Sequence, residues 1–510
     1  MDRIQSTSDK ISNNEAEFCG RMPLHQTNQI QPHGVLLVVK KDDLTILQAS
    51  ENTESFFGLH VSKLINTSLY FYVSPAHIKA LREKVLQPVY HQAPIILNIN
   101  GNDFLAMIQM QDEYFIADIE RVDIHTSQNS FVDIYHEVKS VMAGMDFLQT
   151  THDACAVIAK ELKRISGFDK VMIYRFDPDW NGEVIAEAME AGMESYYGLK
   201  FPATDIPKPA RELYKVVPYR LIPDIDYEPV KLYPVINPLT GTFTNLTNSG
   251  LRSVVSVHLQ YLRNMNVKAS MSTRILKDGE LWGLIACHHR SPMHVSYQLR
   301  SMFEMLSLLI TEKIAAVQNN DVFHFKSEMH MLTHKVMEGI YRKGDLLAGF
   351  IDQSEEIKRI LNADGIAITY KGQIASFGKV PGNEEIKDIV FWLQANNMNR
   401  LYHQPALSTV FDNALDYAKQ ASGLLALPLH PENSVYILSF RQEEVQTISW
   451  GGNPNEAVQF ENDGKQYHPR SSFKIWQETV ELRSRPWNES ELDVAENLRN
   501  LIIQFILNKS

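Results

Sequence analysis

The run FPATDIPKPARELY, Phe201 to Tyr214, constrains the chain more than any other stretch. Pro202, Pro207 and Pro209 each fix φ and remove a backbone donor, so the run cannot be the interior of a regular strand or helix. A stiff, irregular segment suits a residue that must meet a ligand at a set angle with little ordering cost, and Asp205 is the residue so held. Alone, the run would also serve as a rigid surface loop carrying one solvated aspartate.

At 510 residues the chain has length for three or four domains. A formal charge of −12 argues against nucleic acid or an anionic membrane as the main partner. The polar start MDRIQSTSDKISNNEAEF has no secretory h-region, and no apolar run is long enough to span a bilayer. Cys19, Cys155 and Cys287 form no disulfide framework, which points to a reducing, cytoplasmic setting.

Downstream of the proline run lie LRSVVSVHLQYLRNMNVKASMSTRIL, from Leu251, and LWGLIACHHR, from Leu281. Together with the run, these resemble the bilin-binding GAF domain of bacterial phytochromes. The resemblance continues in both directions. Cys19-Gly20 precedes the apolar run Val35–Val39, and ILQASENTESFFG reads as strand, turn and helix in the manner of a PAS domain; Pro94–Ile99, Asp103–Met110 and YFIADIERV supply further strands. WGGNP from Trp450 and YHPRSSFKIWQETVELRSRPW from Tyr467 match the phytochrome tongue, with its PRxSF motif at Pro469 to Phe473.

The expected fold is α+β, with three tandem domains (PAS, GAF and a GAF-like PHY), each a mainly antiparallel sheet with flanking helices, joined by long linker helices. The boundaries expected are a flexible arm at 1–18, PAS at 19–127, GAF at 128–317, PHY at 318–488 with a tongue at about 448–488, and a connector helix at 489–510. Within GAF, helical periodicity is read at 135–165, with Val138, Val141, Met142, Met145 and Leu148 on one face. Strands are expected at Ser253–Leu262, Ala269–Leu276 and Leu281–His288, the last two joined by a turn at Lys277–Glu280. A long helix is read from Tyr297 to Tyr341, with Met302, Met305, Leu306, Leu309, Ile310, Ile314 and Val317 as its stripe. The closing helix carries Val494, Leu498, Leu501 and Phe505, and reads as a coiled-coil connector to an output domain beyond this sequence.

The resemblance implies a biliverdin chromophore, one per chain. Cys19 occupies the attachment position of the bacterial members, whereas Val257 stands where plant and most cyanobacterial relatives carry the attaching cysteine. A soft thiol adds readily to a conjugated vinyl group. Asp205 and His258 would surround the pyrrole nitrogens, His288 would meet the terminal ring carbonyl, and Tyr174, Phe201 and Tyr261 would box that ring, with Met172 and Tyr214 as further pocket residues. Arg220 and Arg252 would hold one propionate region, and Ser270 and Ser272 would donate to the other. Arg470 in the tongue would pair with Asp205 as a switch, with Ser472 and Trp476 making the alternative contacts. Val255 and Ser256 depart from the family's usual Ser-Pro before the histidine.

The implied function is a red/far-red photoreceptor, not an enzyme apart from attaching its own chromophore, forming a homodimer through its long helices. Two rivals compete: a GAF-type sensor of another small molecule such as a cyclic nucleotide, and a dimerisation module with a vestigial pocket. Other chemistries fail on specifics. His330 and His334 lack the zincin glutamate; there is no GxxxxGK[ST] loop, no GGDEF signature and no kinase glycine box.

Overall fold

The computed structural model describes residues 24–85, 92–122, 131–145, 148, 150–454, 459–460, 467–468 and 472–509. The chain divides into two compact units, residues 1–315 with 450–476, and residues 316–449 with 477–510.

The first unit begins with strands β1 (Gln29–Ile30), β2 (Gly34–Lys40), β3 (Ile46–Ser50), β4 (Gln92–Ile99), β5 (Asn102–Met110) and β6 (Tyr114–Arg121). β2, GVLLVVK, is apolar on both faces because both are covered: Val35, Leu37 and Val39 join one core, Leu36 and Val38 another. Helix Thr53–Phe57 closes on Gly58, whose φ of 70° suits glycine.

Next come β7 (Lys170–Phe176), β8 (Gly182–Met189), β9 (Lys200–Phe201), β10 (Tyr219–Ile222), β11 (Val230–Tyr233), β12 (Ala269–Lys277) and β13 (Glu280–His289). Six of these run in the order β10-β12-β13-β7-β8-β9, and Trp450 pairs in parallel with Lys200 at the β9 edge. The seventh, β11, joins the other sheet between β1 and β3, giving β1-β11-β3-β2-β6-β5-β4. Residues read as one domain therefore contribute a strand to its neighbour.

Alternation sets the two faces of the second sheet. Val171, Ile173, Met271, Ile285 and Cys287 pack with helix Thr151–Ser166, where Ala154, Cys155, Ile158 and Leu162 form the facing stripe. Thr150 caps that helix by accepting from the Asp153 N–H, and Gly167 ends it with φ 74°. The opposite face carries Met172, Tyr174, Ser270, Ser272, Ala286 and His288. Asp278 and Gly279 make the β12–β13 turn with positive φ, as the Lys277–Glu280 reading requires.

Several expectations are corrected. Ser253–Leu262 is not a strand: Ser256–Asn264 is a helix, with Leu259 and Leu262 buried three residues apart. The 135–165 region is two helices, Phe131–Met145 and Thr151–Ser166, and Met142 is exposed while Val138, Val141 and Met145 are buried. The proline run is irregular only in its first half. Lys208–Val216 is a helix, with Pro209 in its first turn, where no N–H donor is needed.

Helix Tyr297–Lys343 is 47 residues long. Met302, Phe303, Leu306, Ile310 and Ile314 belong to a core of the first unit, and Met329, Val336, Met337 and Ile340 to one of the second; Met305 is exposed. In the second unit, β14 (Gly365–Tyr370), β15 (Gln373–Gly378), β16 (Tyr402–Gln404), β17 (Gly423–His430) and β18 (Val435–Arg441) form an antiparallel sheet in the order β15-β14-β18-β17-β16. Helix Glu489–Leu507 opens with a capping box between Asn488 and Glu491. Its stripe of Val494, Leu498, Ile502 and Phe505 is buried in this unit's own core.

Candidate functional site

The uncovered face of the second sheet, helix Ser256–Asn264 and the proline run enclose a cavity of about 260 Å³. Met172, Tyr174, Phe201, Asp205, Tyr214, Arg220, Arg252, His258, Tyr261, Ser270, Ser272 and His288 all line it. Cys19 and Arg470 lie outside the described residues. Ser472 and Trp476 are described but do not line the cavity; the Ser472 hydroxyl accepts from the Lys474 N–H at 3.4 Å.

Register explains how distant residues converge. Arg220 on β10 stands opposite Ser272, and Ser270 opposite His288. On the other flank of β13, Ala286 faces Met172 and Leu284 faces Tyr174. His258 and Tyr261, three apart on their helix, stack with an interplanar angle of 11°.

Asp205 ends a single 3-10 turn, its N–H bonded to the Pro202 carbonyl at 3.0 Å. Arg211, buried one helical turn on, donates to the carbonyls of Ile206 at 2.6 Å and Ala203 at 3.3 Å, and lies over the Trp180 ring. One guanidinium thus satisfies the loop's carbonyls and holds its curvature. Pattern reading missed Arg211 because its partners are backbone atoms made available only by the bend. Tyr261 donates its hydroxyl to the Asp205 carboxylate at 3.0 Å.

The electrostatics divide the cavity. His288 is buried, its Nδ1 has no partner among the described residues, and burial followed by the Lys170 charge pushes it down to about 3. His258 faces the cavity with its ring accessible from it, and desolvation with the Arg220 charge lowers it to about 4. Both imidazoles are therefore neutral at pH 7. Arg252 is pushed down to about 9 by burial and then by Arg220, and its Nε has no partner among the described residues. Among those residues neither Arg220 nor Arg252 has a carboxylate partner within 4.0 Å. Among the described residues Arg220 bonds backbone carbonyls alone, of Ser249 and Arg252, and Arg252 donates to Leu24 O at 2.6 Å. Burial raises the Tyr214 hydroxyl and outweighs its hydrogen bond to Ser272 and the Arg220 and Arg252 charges, which pull the other way, so the hydroxyl stays neutral.

The opposite wall is aromatic. Tyr174 and Tyr196 both contact Phe201, at 6.1 Å and 5.8 Å between ring centroids. Phe473, of the PRxSF motif, is buried edge-on against Tyr261 at 5.0 Å. A Cβ on Gly451 would stand 2.6 Å from the Phe201 ring, so that glycine permits close backbone approach. Phe473 was not among the expected pocket contacts, since only three-dimensional folding brings it to Tyr261. Tyr196 was also missed; no motif marks it.

The donor set fits an elongated, largely apolar ligand bearing anionic groups: two guanidiniums without carboxylate partners, hydroxyls beside them, and neutral histidines with an aromatic box beyond. Such a pocket on a GAF-type sheet, in a chain that also carries a PAS-like sheet and a second unit built on a GAF-like sheet, has the domain content of a phytochrome sensory core. Family models agree: a PAS fold matches residues 19–122, a GAF domain 150–314 and the phytochrome region 329–510. The chain is 36% identical to cyanobacterial phytochrome B of Nostoc sp. over 498 residues, covering 96% of this chain and 66% of that protein. It is 30% identical to a bacteriophytochrome of Xanthomonas campestris pv. campestris, covering 96% of this chain and 78% of that one. A crystal structure of a bacteriophytochrome from R. palustris superposes with a TM-score of 0.86 at 33% identity, over 97% of this chain and 100% of that one. The chain belongs to the phytochrome family and comprises its PAS–GAF–PHY photosensory core. Among the described residues no helix is long and apolar enough to cross a membrane.

Proposed function

We propose that this chain is a red/far-red photoreceptor that binds biliverdin covalently through Cys19. The observation that carries the reading is the pair of guanidiniums, half-buried Arg220 and buried Arg252, placed on a largely apolar cavity without carboxylate partners among the described residues. Leaving them so is costly unless an anionic ligand completes the site. Leu24 lines the cavity, and the five residues back to Cys19 span at most about 18 Å, a reach that supports attachment through that thiol.

Bound there, the tetrapyrrole would supply the visible absorption and a methine double bond able to isomerise. Arg220 and Arg252 bind one propionate region, and Ser270 and Ser272 donate to the other. Asp205, oriented by Tyr261, and the neutral His258 meet the pyrrole nitrogens, and His288 offers its unpartnered Nδ1 side to the terminal ring. Tyr174, Phe201 and Tyr261 bound that ring, with Met172 and Tyr214 completing the walls. Arg470 pairs with Asp205 in one state, and Ser472 and Trp476 take its place in the other.

The division we propose is an arm at 1–18, PAS at 19–127, GAF at 128–317, PHY at 318–488 with its tongue at about 448–488, and a connector at 489–510. The module itself performs no catalysis on a substrate. It signals as a cytoplasmic homodimer, through its long helices, to an output domain; that the chain spans about two thirds of the Nostoc relative supports such a domain in a longer protein.

Mixing with biliverdin and then denaturing tests the attachment. Wild type should retain the pigment and Cys19→Ser should lose it. Retention by Cys19→Ser would overturn the assignment and leave Cys155 and Cys287, both buried and both with thiols pushed up by burial.

A further inference from the structure

Asp118 lies on β6, in the PAS sheet, and is almost wholly buried. Its Oδ1 accepts from the Ser249 hydroxyl at 2.8 Å; its Oδ2 accepts from the Gly250 N–H at 2.8 Å and from Gln109 Nε2 at 2.9 Å. The first two of those bonds fix a turn belonging to the GAF sequence, and the third, from β5, anchors the carboxylate in its own sheet. The same turn presents the Ser249 carbonyl to Arg220, and three residues later the Arg252 carbonyl to the same guanidinium. Backbone bonds pin the segment from the other side: Gln31 N–H to Leu251 O at 2.7 Å, and Ser253 N–H to Gln29 O at 2.9 Å. Behind the turn, Gly34 lies so close to Leu251 that an added Cβ would meet it at 2.7 Å.

Two guanidiniums sharing one cavity end repel each other and gain by turning toward solvent. What prevents this for Arg220 is the placement of the Ser249 and Arg252 carbonyls, and two of the bonds holding that turn converge on one carboxylate, itself anchored within the PAS sheet by Gln109. We propose that Asp118 is a positioning residue for Arg220 and Arg252, so that the PAS sheet sets the cavity's preference for a tetrapyrrole with free propionates over its ester. The inference rests on the bilin reading above, but concerns a residue that touches no ligand.

The test is a dark titration of the full chain with biliverdin and with biliverdin dimethyl ester, followed by absorbance. Wild type should prefer the free acid by roughly tenfold or more, the worth of one charge-assisted contact. Asp118→Ala should bring the preference to within about threefold while leaving ester affinity unchanged. Asp118→Asn should restore it, because the amide oxygen still accepts from Gly250 and the amide can donate to Ser249 Oγ. Should Asp118→Ala fail to fold, Ser249→Ala, which removes a single bond to the carboxylate, decides by the same partial loss of preference. Equal weakening of both ligands, or an unchanged preference in a folded variant, overturns the inference alone. A wild type that binds neither ligand overturns it together with the bilin reading.

Discussion

Gly182 offers a sharp test of how the aromatic wall is built. It stands on β8 opposite Phe176, with the Tyr174 side chain lying across it. A Cβ there would fall 1.7 Å from Tyr174 Cζ and 2.0 Å from its hydroxyl oxygen. Ordinary contact begins near 3.4 Å, so in Gly182→Ala the ring must retreat by roughly 2 Å, and the cavity is the space beside it. Overpacking of this kind costs about 1–3 kcal/mol. Urea unfolding of the apoprotein should show that loss at unchanged m-value. In a Tyr174→Ala background the same glycine change should cost almost nothing, giving a coupling of about 1–3 kcal/mol in the double-mutant cycle. Biliverdin binding should weaken roughly tenfold in Gly182→Ala and recover in the double variant. Additivity within about 0.5 kcal/mol would refute the argument that the ring occupies the space above that glycine.

Two further outcomes follow from buried charge. His288 and His33 are held neutral, at about 3 and about 4, chiefly by burial, so below about 6.5 the unfolded chain takes up protons that the native chain refuses, and stability falls as pH falls. Asp118 opposes this: burial raises it to about 7, so the native chain gains one proton over the same window. Removing that opposing proton in Asp118→Asn should steepen the fall of stability between pH 6 and 4.5 by about 1 kcal/mol per pH unit; denaturant midpoints of the two proteins across that range check it, and equal slopes would count against the burial of Asp118. In the second unit, Glu491 meets buried Arg441 at 3.0 Å while that guanidinium also lies over Trp487 at 4.0 Å. Glu491→Gln keeps the helix cap but leaves the cation unpaired, and should cost about 3 kcal/mol in thermal or urea unfolding; a loss under about 1 kcal/mol would mean that water reaches the pair.

The cavity-lining residues were legible where chemistry and strand alternation coincide. Ser270 and Ser272 two apart, and His288 beside core Cys287, declare a two-faced sheet without any coordinates. The helix at Ser256–Asn264 was misread because Val254, Val255 and Val257 favour strands locally, whereas its buried Leu259 and Leu262 and its cavity-facing His258 and Tyr261 obey a helical period that is visible only once both surroundings are known. Pro209 misled in the same way, since proline excludes a helix interior but suits its first turn. β11 was missed because a four-residue strand carries almost no periodic signal and its partners, β1 and β3, lie about two hundred residues away. Arg211, Phe473 and the Asp118 turn share one cause. Their roles depend on backbone atoms or rings that long-range folding alone brings near.

The central claim is that the cavity holds a light-switchable bilin. Purified chain mixed with biliverdin in the dark should develop an absorbance band shifted to the red of free pigment; red illumination should convert it to a further red-shifted band, and far-red light should return it. A spectrum indistinguishable from free biliverdin, unchanged by illumination, would contradict the claim.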